Sequence, residues 1–339
     1  MNTELVKVTR DFPEDAIVAR AAEILRTGGL VAFPTETVYG LGADALNVTA
    51  VEKIFRAKGR PADNPLIIHI ATIEQLYELG RGIPAAVEKL AAAFWPGPLT
   101  VVVRRQAFVP DIVTAGLDTV AVRMPRHPVT LALIKKLSSG IVGPSANLSG
   151  KPSPTTAEHV YDDLKGSIDL ILDAGPTEIG VESTVVDVTT VPPTILRFGG
   201  LIRERIEQIV GTVQSTSEDM AWRRSPGTRH RHYAPRARVV LVKAGGHAEL
   251  SAALSRYQRE GMKVGCIIHS HQLSIRDIGK LSVLLSSNID EFARLLFDTM
   301  RKLDELGVDV ILVEEVPEIG LGVAVMDRLR RATAADATR

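Results

Sequence analysis

The chain has 339 residues, of which 45% are hydrophobic, a length that suits two domains and an apolar content that supports a sizeable core. Its 40 Lys and Arg balance 40 Asp and Glu, so the formal net charge is +0. That balance excludes a global field steering the protein to nucleic acid or an anionic membrane, and any basic site must be local.

In chain order, residues 13–28 read as a first helix, with Ile17, Ala21, Ile24 and Leu25 as its apolar stripe. A short buried strand follows at 30–33. Thr49 and Glu52 have the spacing of a capping box, opening a helix that carries Val51, Ile54 and Phe55. A strand is expected at 66–70, and Thr72 with Gln75 repeats the capping box before the next helix. Residues 84–94 form another helix, with Pro84 at its first turn. Strands follow at 99–103 and 119–123, a helix at 128–137, and a short strand at 141–142. Thr155 opens a further helix, and three more strands are expected at 170–172, 183–188 and 194–197. Helices and strands alternate, yet several strands run consecutively, which predicts an α/β domain on a mixed sheet.

After about Gly211 the composition changes. Residues 212–220 are polar, and residues 222–238 hold six arginines, two histidines and no acidic residue. Pro226, Gly227 and Pro235 forbid a continuous helix there, so a charged linker is expected. Beyond it, strands at 239–242, 264–269 and 310–313 alternate with helices at 247–260, 289–306 and 323–329, the order of a small doubly wound domain. The residues after Arg331 are small and polar and are expected to fray. The domains are therefore set at 1–211, 212–237 for the basic linker, 238–332, and a tail at 333–339. The one cysteine, Cys266, allows no intrachain disulfide. The first residues lack a basic flank ahead of an apolar run, and no apolar run approaches the ~20 residues that span a bilayer. A soluble cytoplasmic protein is expected.

Gly40, Gly42 and Ala45 match the form of a dinucleotide fingerprint, but six residues separate them from Phe33 and no helix starts on the motif. A tight turn is the simpler expectation. The stretch 58–66 is more informative. Lys58 and Arg60 straddle Gly59 at a helix end, ahead of a loop stiffened by Pro61 and Pro65. Arg offers a planar fork for two phosphate oxygens and Lys a compact point charge. The same pair also suits a solvated helix C-terminus, where cations meet the dipole. Ser145, Asn147 and Ser149 alternate through a second loop bounded by Gly143, Pro144 and Gly150, which is open to a ligand or to a plain turn. The two loops are expected to face one cleft.

Thr35, Glu36, Thr37 and Tyr39 follow a strand end, a common ligand position in α/β folds and equally a capped turn. His69 lies within an apolar run and is either a cleft residue or a satisfied core histidine. Residues 94–100, with Trp95, Pro96, Gly97 and Pro98, read as an architectural turn. Arg123 ends an apolar strand and needs an anionic partner, either a structural or a substrate carboxylate. Ser183 and Thr184 open a strand, and Arg197 ends one. His230 and His232 in the linker have no cysteine or acid beside them to complete a metal site. The basic linker could bind RNA or fold over the cleft as a lid.

Together, the run 33–42, the Lys58 and Arg60 pair, the Ser145 and Asn147 pair and the linker motif ending in His232, Tyr233, Ala234 and Pro235 resemble the YrdC family in its long, two-domain branch, the threonylcarbamoyl-AMP synthases. The resemblance covers essentially the whole chain. It implies a YrdC-like twisted mixed sheet enclosing a basic cavity, followed by a smaller Rossmann-like α/β domain. It implies a nucleotidyltransferase that converts L-threonine, bicarbonate (or carbon dioxide) and ATP to threonylcarbamoyl-AMP and pyrophosphate. That product serves modification of tRNA beside the anticodon, the transfer being made by a separate threonylcarbamoyl-transferase complex. By resemblance, Lys58, Arg60 and Asn64 contact the ATP phosphates with a Mg2+ ion, Lys58 and Arg60 being the catalytic pair. Thr119, Ser145, Ser153 and Arg197 match further nucleotide positions, Asn147 completes the signature pair, and Tyr233 covers the nucleotide. Thr35, His69, Arg123 and Ser183 match positions around threonine. Thr228 and Arg229 stand where family linkers often carry methionine and lysine, which puts the detailed lid contact in question.

The alternative from another class is a non-catalytic RNA-binding protein. The zero net charge and an aromatic content of only 4% argue against it, because base-stacking platforms are then scarce. A relative that handles carbamoyl groups in hydrogenase maturation would bring zinc-finger cysteines, which a single cysteine does not supply.

Overall fold

The computed structural model describes residues 2–215, 233–269, 281–284 and 287–333, and these fall into two compact units. One unit takes its described residues from 2–149, 154–178 and 182–215, the other from 150–153, 179–181 and 233–333. The expected linker lies largely outside the described residues, as do His230, His232, Thr228 and Arg229.

The first unit runs β1 (Glu4–Lys7), α1 (Asp15–Arg26), β2 (Val31–Phe33), β3 (Gly40–Asp44), α2 (Val48–Lys58), β4 (Ile67–His69), α3 (Ile73–Leu79), β5 (Gly80–Arg81), α4 (Ala85–Phe94), β6 (Leu99–Arg105), α5 (Asp111–Thr114), β7 (Thr119–Arg123), α6 (Pro128–Leu137), β8 (Ile141–Val142), α7 (Ala157–Leu164), β9 (Leu170–Asp173), β10 (Thr184–Asp187), β11 (Thr194–Arg197), α8 (Arg203–Val210) and β12 (Gln214–Ser215). Its strands join one large sheet in the order β1-β9-β2-β3-β8-β4-β7-β6-β10-β11-β12, with β5 beside β6. Pairing is mixed, as expected: β4 with β7 and β6 with β10 are parallel, whereas β2 with β3, β6 with β7 and β10 with β11 are antiparallel. The central strands β2, β4, β7 and β10 are buried throughout, which is why they read as short unbroken apolar runs.

Four local expectations are corrected. Residues Gly40–Asp44 are a strand, not a tight turn, and they pair antiparallel with β2. Glycine is used there because the Phe33 ring lies across the strand: a Cβ on Gly40 would come within 2.6 Å of Phe33 Cζ. Helix α2 is capped by Asn47, whose side chain accepts from the Ala50 backbone N–H, rather than by Thr49. Pro84 is the N-cap of α4 rather than a residue of its first turn. Thr156, not Thr155, caps α7 and accepts from the His159 N–H. The capping box at Thr72 and Gln75 is present as expected. Strands β1, β5 and β12 and helices α5 and α8 were not foreseen from the sequence, and most of them are too short to set up a period.

The second unit contains β13 (Arg238–Val242), α9 (His247–Arg259), β14 (Val264–Ile268), β15 (Ser282–Leu284), α10 (Ile289–Glu305), β16 (Val310–Glu314) and α11 (Leu321–Thr333). Its strands form an all-parallel sheet in the order β13-β16-β14-β15. β15 is the strand absent from the sequence expectation. Phe292, Leu296, Phe297, Met300 and Leu303 form the buried stripe of α10. Glu314, at the end of β16, accepts from the backbone N–H groups of Gly245 and His269, each at 2.9 Å, and so ties the loops after β13 and β14. No helix among the described residues is long and apolar enough to cross a membrane.

Candidate active site

The central strands of the first unit bring a row of polar side chains to one level of the sheet. Arg123, the last residue of β7, is in register with His69 on β4 and with Thr100 on β6. Directly paired residues point to the same face of a sheet, so these three side chains are neighbours. The Thr100 and Ser183 hydroxyls are 2.8 Å apart, which extends the row to the start of β10. Ser183 then meets Arg197 from β11: the guanidinium donates to the Ser183 carbonyl at 2.9 and 3.1 Å and to its hydroxyl at 3.1 Å. His69, Arg123, Ser183 and Arg197 are all buried. They carry their polar atoms into the interior because strand pairing fixes the backbone and leaves the side chains as the only variable.

The hairpin between β2 and β3 closes this row. Thr35 Oγ1 donates to the Val38 carbonyl at 2.6 Å and accepts from the Thr37 and Val38 N–H groups, which folds the loop on itself. Glu36 is wholly buried, and its Oε2 lies 2.9 Å from Arg123 Nη2. This is the structural carboxylate that Arg123 was expected to need. Arg123 Nε also donates to the Gly97 carbonyl at 3.3 Å, so the turn at 94–100 has a second role beyond architecture.

Burial removes the His69 imidazolium. Desolvation, followed by the nearby Arg123 charge, pushes the His69 pKa down to about 3. The ring stands edge-on to Phe33, with centroids 5.4 Å apart. It touches Gly143 so closely that a Cβ there would come within 2.8 Å of the imidazole and 2.7 Å of the Phe33 ring. His127 is pushed down to about 4, first by burial and then by Arg10. The buried Tyr39 phenol is raised by burial and by Asp173, and it donates to the Gly175 carbonyl at 2.7 Å.

The two loops read from the sequence do meet. Gly59 ends α2 in the left-handed conformation, φ 60°, which turns the chain into the loop bearing Arg60. The Lys58 ammonium donates to the Ser145 carbonyl and, at 2.5 Å, to the Asn147 carbonyl, while the Ser149 N–H donates to the Lys58 carbonyl at 2.9 Å. Ser145 also forms a bridge with Gly40, at the start of β3. Arg60 curls back on its own loop, donating to the Asn64 and Pro65 carbonyls at 3.2 and 3.4 Å. Asn147 Nδ2 donates to the Leu148 carbonyl at 2.8 Å. Thr119 is buried at the start of β7. The same strand carries Arg123 at its other end, in register with His69.

Of the residues picked from the sequence, Thr35, Lys58, Arg60, Asn64, His69, Thr119, Arg123, Ser145, Asn147, Ser183 and Arg197 lie in the first unit. Ser153 and Tyr233 are counted in the second, where both are buried. The Tyr233 ring stacks on Phe297 with centroids 5.4 Å apart, and the Arg328 guanidinium lies 5.3 Å from its centre. Thr100 belongs to the row and the Gly97 carbonyl adjoins it, whereas the sequence reads both only as part of the architectural turn at 94–100. A single threonine in an apolar strand gives no signal until the register places it beside Ser183. No group of three or more His, Cys, Asp or Glu residues suited to a metal ion occurs among the described residues.

Residues 23–199 match the family model Sua5_yciO_yrdC, described as telomere recombination, and residues 201–334 match Sua5_C, described as the threonylcarbamoyl-AMP synthase C-terminal domain. The chain is 49% identical over 333 residues to a threonylcarbamoyl-AMP synthase of Pyrococcus abyssi, covering 96% of each. It is 44% identical over 324 residues to one of Bacillus subtilis, covering 94% of this chain and 93% of the relative. A crystal structure of P. abyssi Sua5 complexed with L-threonine superposes with a TM-score of 0.92 at 48% identity, over 98% of both chains.

Proposed function

The chain belongs to the Sua5, YciO and YrdC family in its two-domain form, and from that premise we propose that it is an L-threonylcarbamoyladenylate synthase, joining L-threonine, bicarbonate and ATP into threonylcarbamoyl-AMP and pyrophosphate. The threonine amine first forms a carbamate. A carbamate oxygen then attacks the α-phosphate, and pyrophosphate leaves in line. Such chemistry asks a protein for positioning and charge neutralisation more than for covalent help.

The contact between Arg197 and Ser183 carries the proposal, because it joins a cation suited to a nucleotide directly to a hydroxyl suited to an amino acid. Lys58, Arg60 and Asn64 take the phosphates, with Thr119, Ser145, Asn147 and Arg197 as further nucleotide contacts. Thr35, His69, Arg123 and Ser183 surround threonine. Arg123 receives the carboxylate through donors not given to Glu36 or Gly97, and neutral His69 suits a hydroxyl.

Magnesium accompanies ATP. An ion that keeps several waters and binds through phosphate oxygens needs no protein cage, and the neutral side-chain oxygens of Asn64 and Ser145 are the groups that would meet its shell. When bound, it neutralises the leaving pyrophosphate. The product then passes, in the cytoplasm, to a separate tRNA threonylcarbamoyl-transferase complex.

The test is pyrophosphate release from ATP by the full chain. Release is expected only with both threonine and bicarbonate present. Release independent of threonine rejects the substrate assignment.

A further inference from the structure

Glu36 is a buried charge with a function left over. Oε2 makes the 2.9 Å ion pair with Arg123 Nη2, and Oε1 has no hydrogen-bond partner among the described residues. Arg123 Nη2 is taken up by that ion pair, whereas His69 Nδ1, on the neighbouring strand, lacks a hydrogen-bond partner among the described residues. Buried polar atoms are normally satisfied, so Glu36 Oε1 and His69 Nδ1, with the Arg123 guanidinium beside both residues, mark where a ligand's polar groups belong. They are a carboxylate, a guanidinium and an imidazole. Those are complements of an ammonium, a carboxylate and a hydroxyl, the three polar groups of a β-hydroxy amino acid.

We infer that Glu36 binds the α-ammonium of threonine and accepts its proton, an inference that rests on the threonine-dependent reaction proposed above. In the step, R–NH3+ gives one proton to the Glu36 carboxylate, leaving R–NH2 and a neutral carboxylic acid. The nitrogen lone pair forms the new N–C bond to bicarbonate carbon, the C–OH bond breaks, and that hydroxide leaves as water with one N–H proton. The Glu36 proton returns to solvent with product release.

The groups around Glu36 suit the role. Arg123 faces it from β7, and His127, ahead of α6, senses both Glu36 and Arg10 while staying neutral near pH 7. Glu178 donates its backbone N–H to the Glu36 main-chain carbonyl at 3.1 Å, its side chain being paired with Arg10 and Arg126. Arg123 and Glu36 together are neutral, so the subsite favours a zwitterion over a plain carboxylic acid.

The experiment is Glu36→Gln in the full chain, with threonine-dependent pyrophosphate release read against pH. KM for threonine is expected to rise about 10- to 100-fold near neutral pH, the scale of a lost hydrogen bond to a charged group, with KM for ATP unchanged. Its kcat/KM for threonine should climb about tenfold per pH unit while the free amine fraction grows, and the wild type should be flatter. A Glu36→Gln protein with the wild-type KM and pH profile overturns the inference. Should that variant fail to fold, the wild type still decides. The dihydroxy acid in which a hydroxyl replaces the amine of threonine is expected to compete at least tenfold more weakly than threonine, and equal binding overturns the inference. Failure of the wild type to need threonine at all rejects the reaction, not the subsite, which threonine calorimetry on both proteins then tests directly.

Discussion

Lys58 and Ser145, 87 residues apart in sequence, are joined by a hydrogen bond from the lysine ammonium to the serine carbonyl. The same ammonium reaches the Asn147 carbonyl, so one cation organises the loop that follows β8. It therefore has two tasks, holding the loop and presenting charge. Lys58→Ala is expected to raise the KM for ATP by about 10- to 100-fold, since each hydrogen bond to a charged group is worth about 1.5–3 kcal/mol. Threonine binding, measured by calorimetry, should change far less. Equal loss of both affinities would count against the phosphate role.

The sequence displayed this loop pair but not its cause. Proline and glycine punctuation made both loops visible, and the cations were conspicuous beside Gly59. The long strands and helices were legible because their apolar residues recur with a clear period, and α6 and β7 fall where that period put them. Glycines 40 and 42 misled, because glycine in a strand looks like a turn unless the Phe33 ring opposite is known. The row from His69 through Arg123 and Thr100 to Ser183 depends on register between strands far apart in sequence, which no local pattern encodes. Glu36 was seen as part of a polar cluster. Its pairing with Arg123 is a tertiary fact.

Gly143 is confined by its neighbours. A methyl group there would sit 2.7 Å from the Phe33 ring and 2.8 Å from the His69 ring. Gly143→Ala should destabilise the protein by about 1–3 kcal/mol, the usual cost of overpacking, and should impair threonine binding more than ATP binding. Gly59→Ala is the contrast. It meets nothing within 4 Å but has φ 60°, so it carries only the left-handed penalty of about 1–2 kcal/mol. Thermal melts and threonine calorimetry on the two variants separate crowding from backbone strain.

Acid should unfold this protein partly through two histidines. His69 and His127 have folded pKa values near 3 and near 4, both below the ordinary 6.5. Between those values and 6.5 the unfolded chain binds more protons than the folded one. Stability therefore rises with pH through that window and levels off above it, by up to about 1.4 kcal/mol per pH unit for each histidine. His69→Gln should flatten the dependence of Tm on pH between about 4 and 6. A slope unchanged by that substitution would show that carboxylates elsewhere dominate acid unfolding.

In the second unit, Arg301 on α10 is buried and donates to the Pro152 carbonyl at 2.5 Å, while the Ala234 N–H donates to the Gly150 carbonyl at 2.9 Å. The carbonyls of Gly150 and Pro152 are thus fixed by donors from elsewhere in the same unit. Arg301→Met keeps the aliphatic stem and removes the donor. Amide exchange at Lys151 and Ser153 should then speed up by about 10- to 100-fold, the scale of a lost charge-assisted hydrogen bond. The amides inside α10 should keep their protection, because their partners lie within the helix. Exchange that quickens throughout α10 instead would mean that Arg301 supports the helix and not the segment Gly150–Ser153.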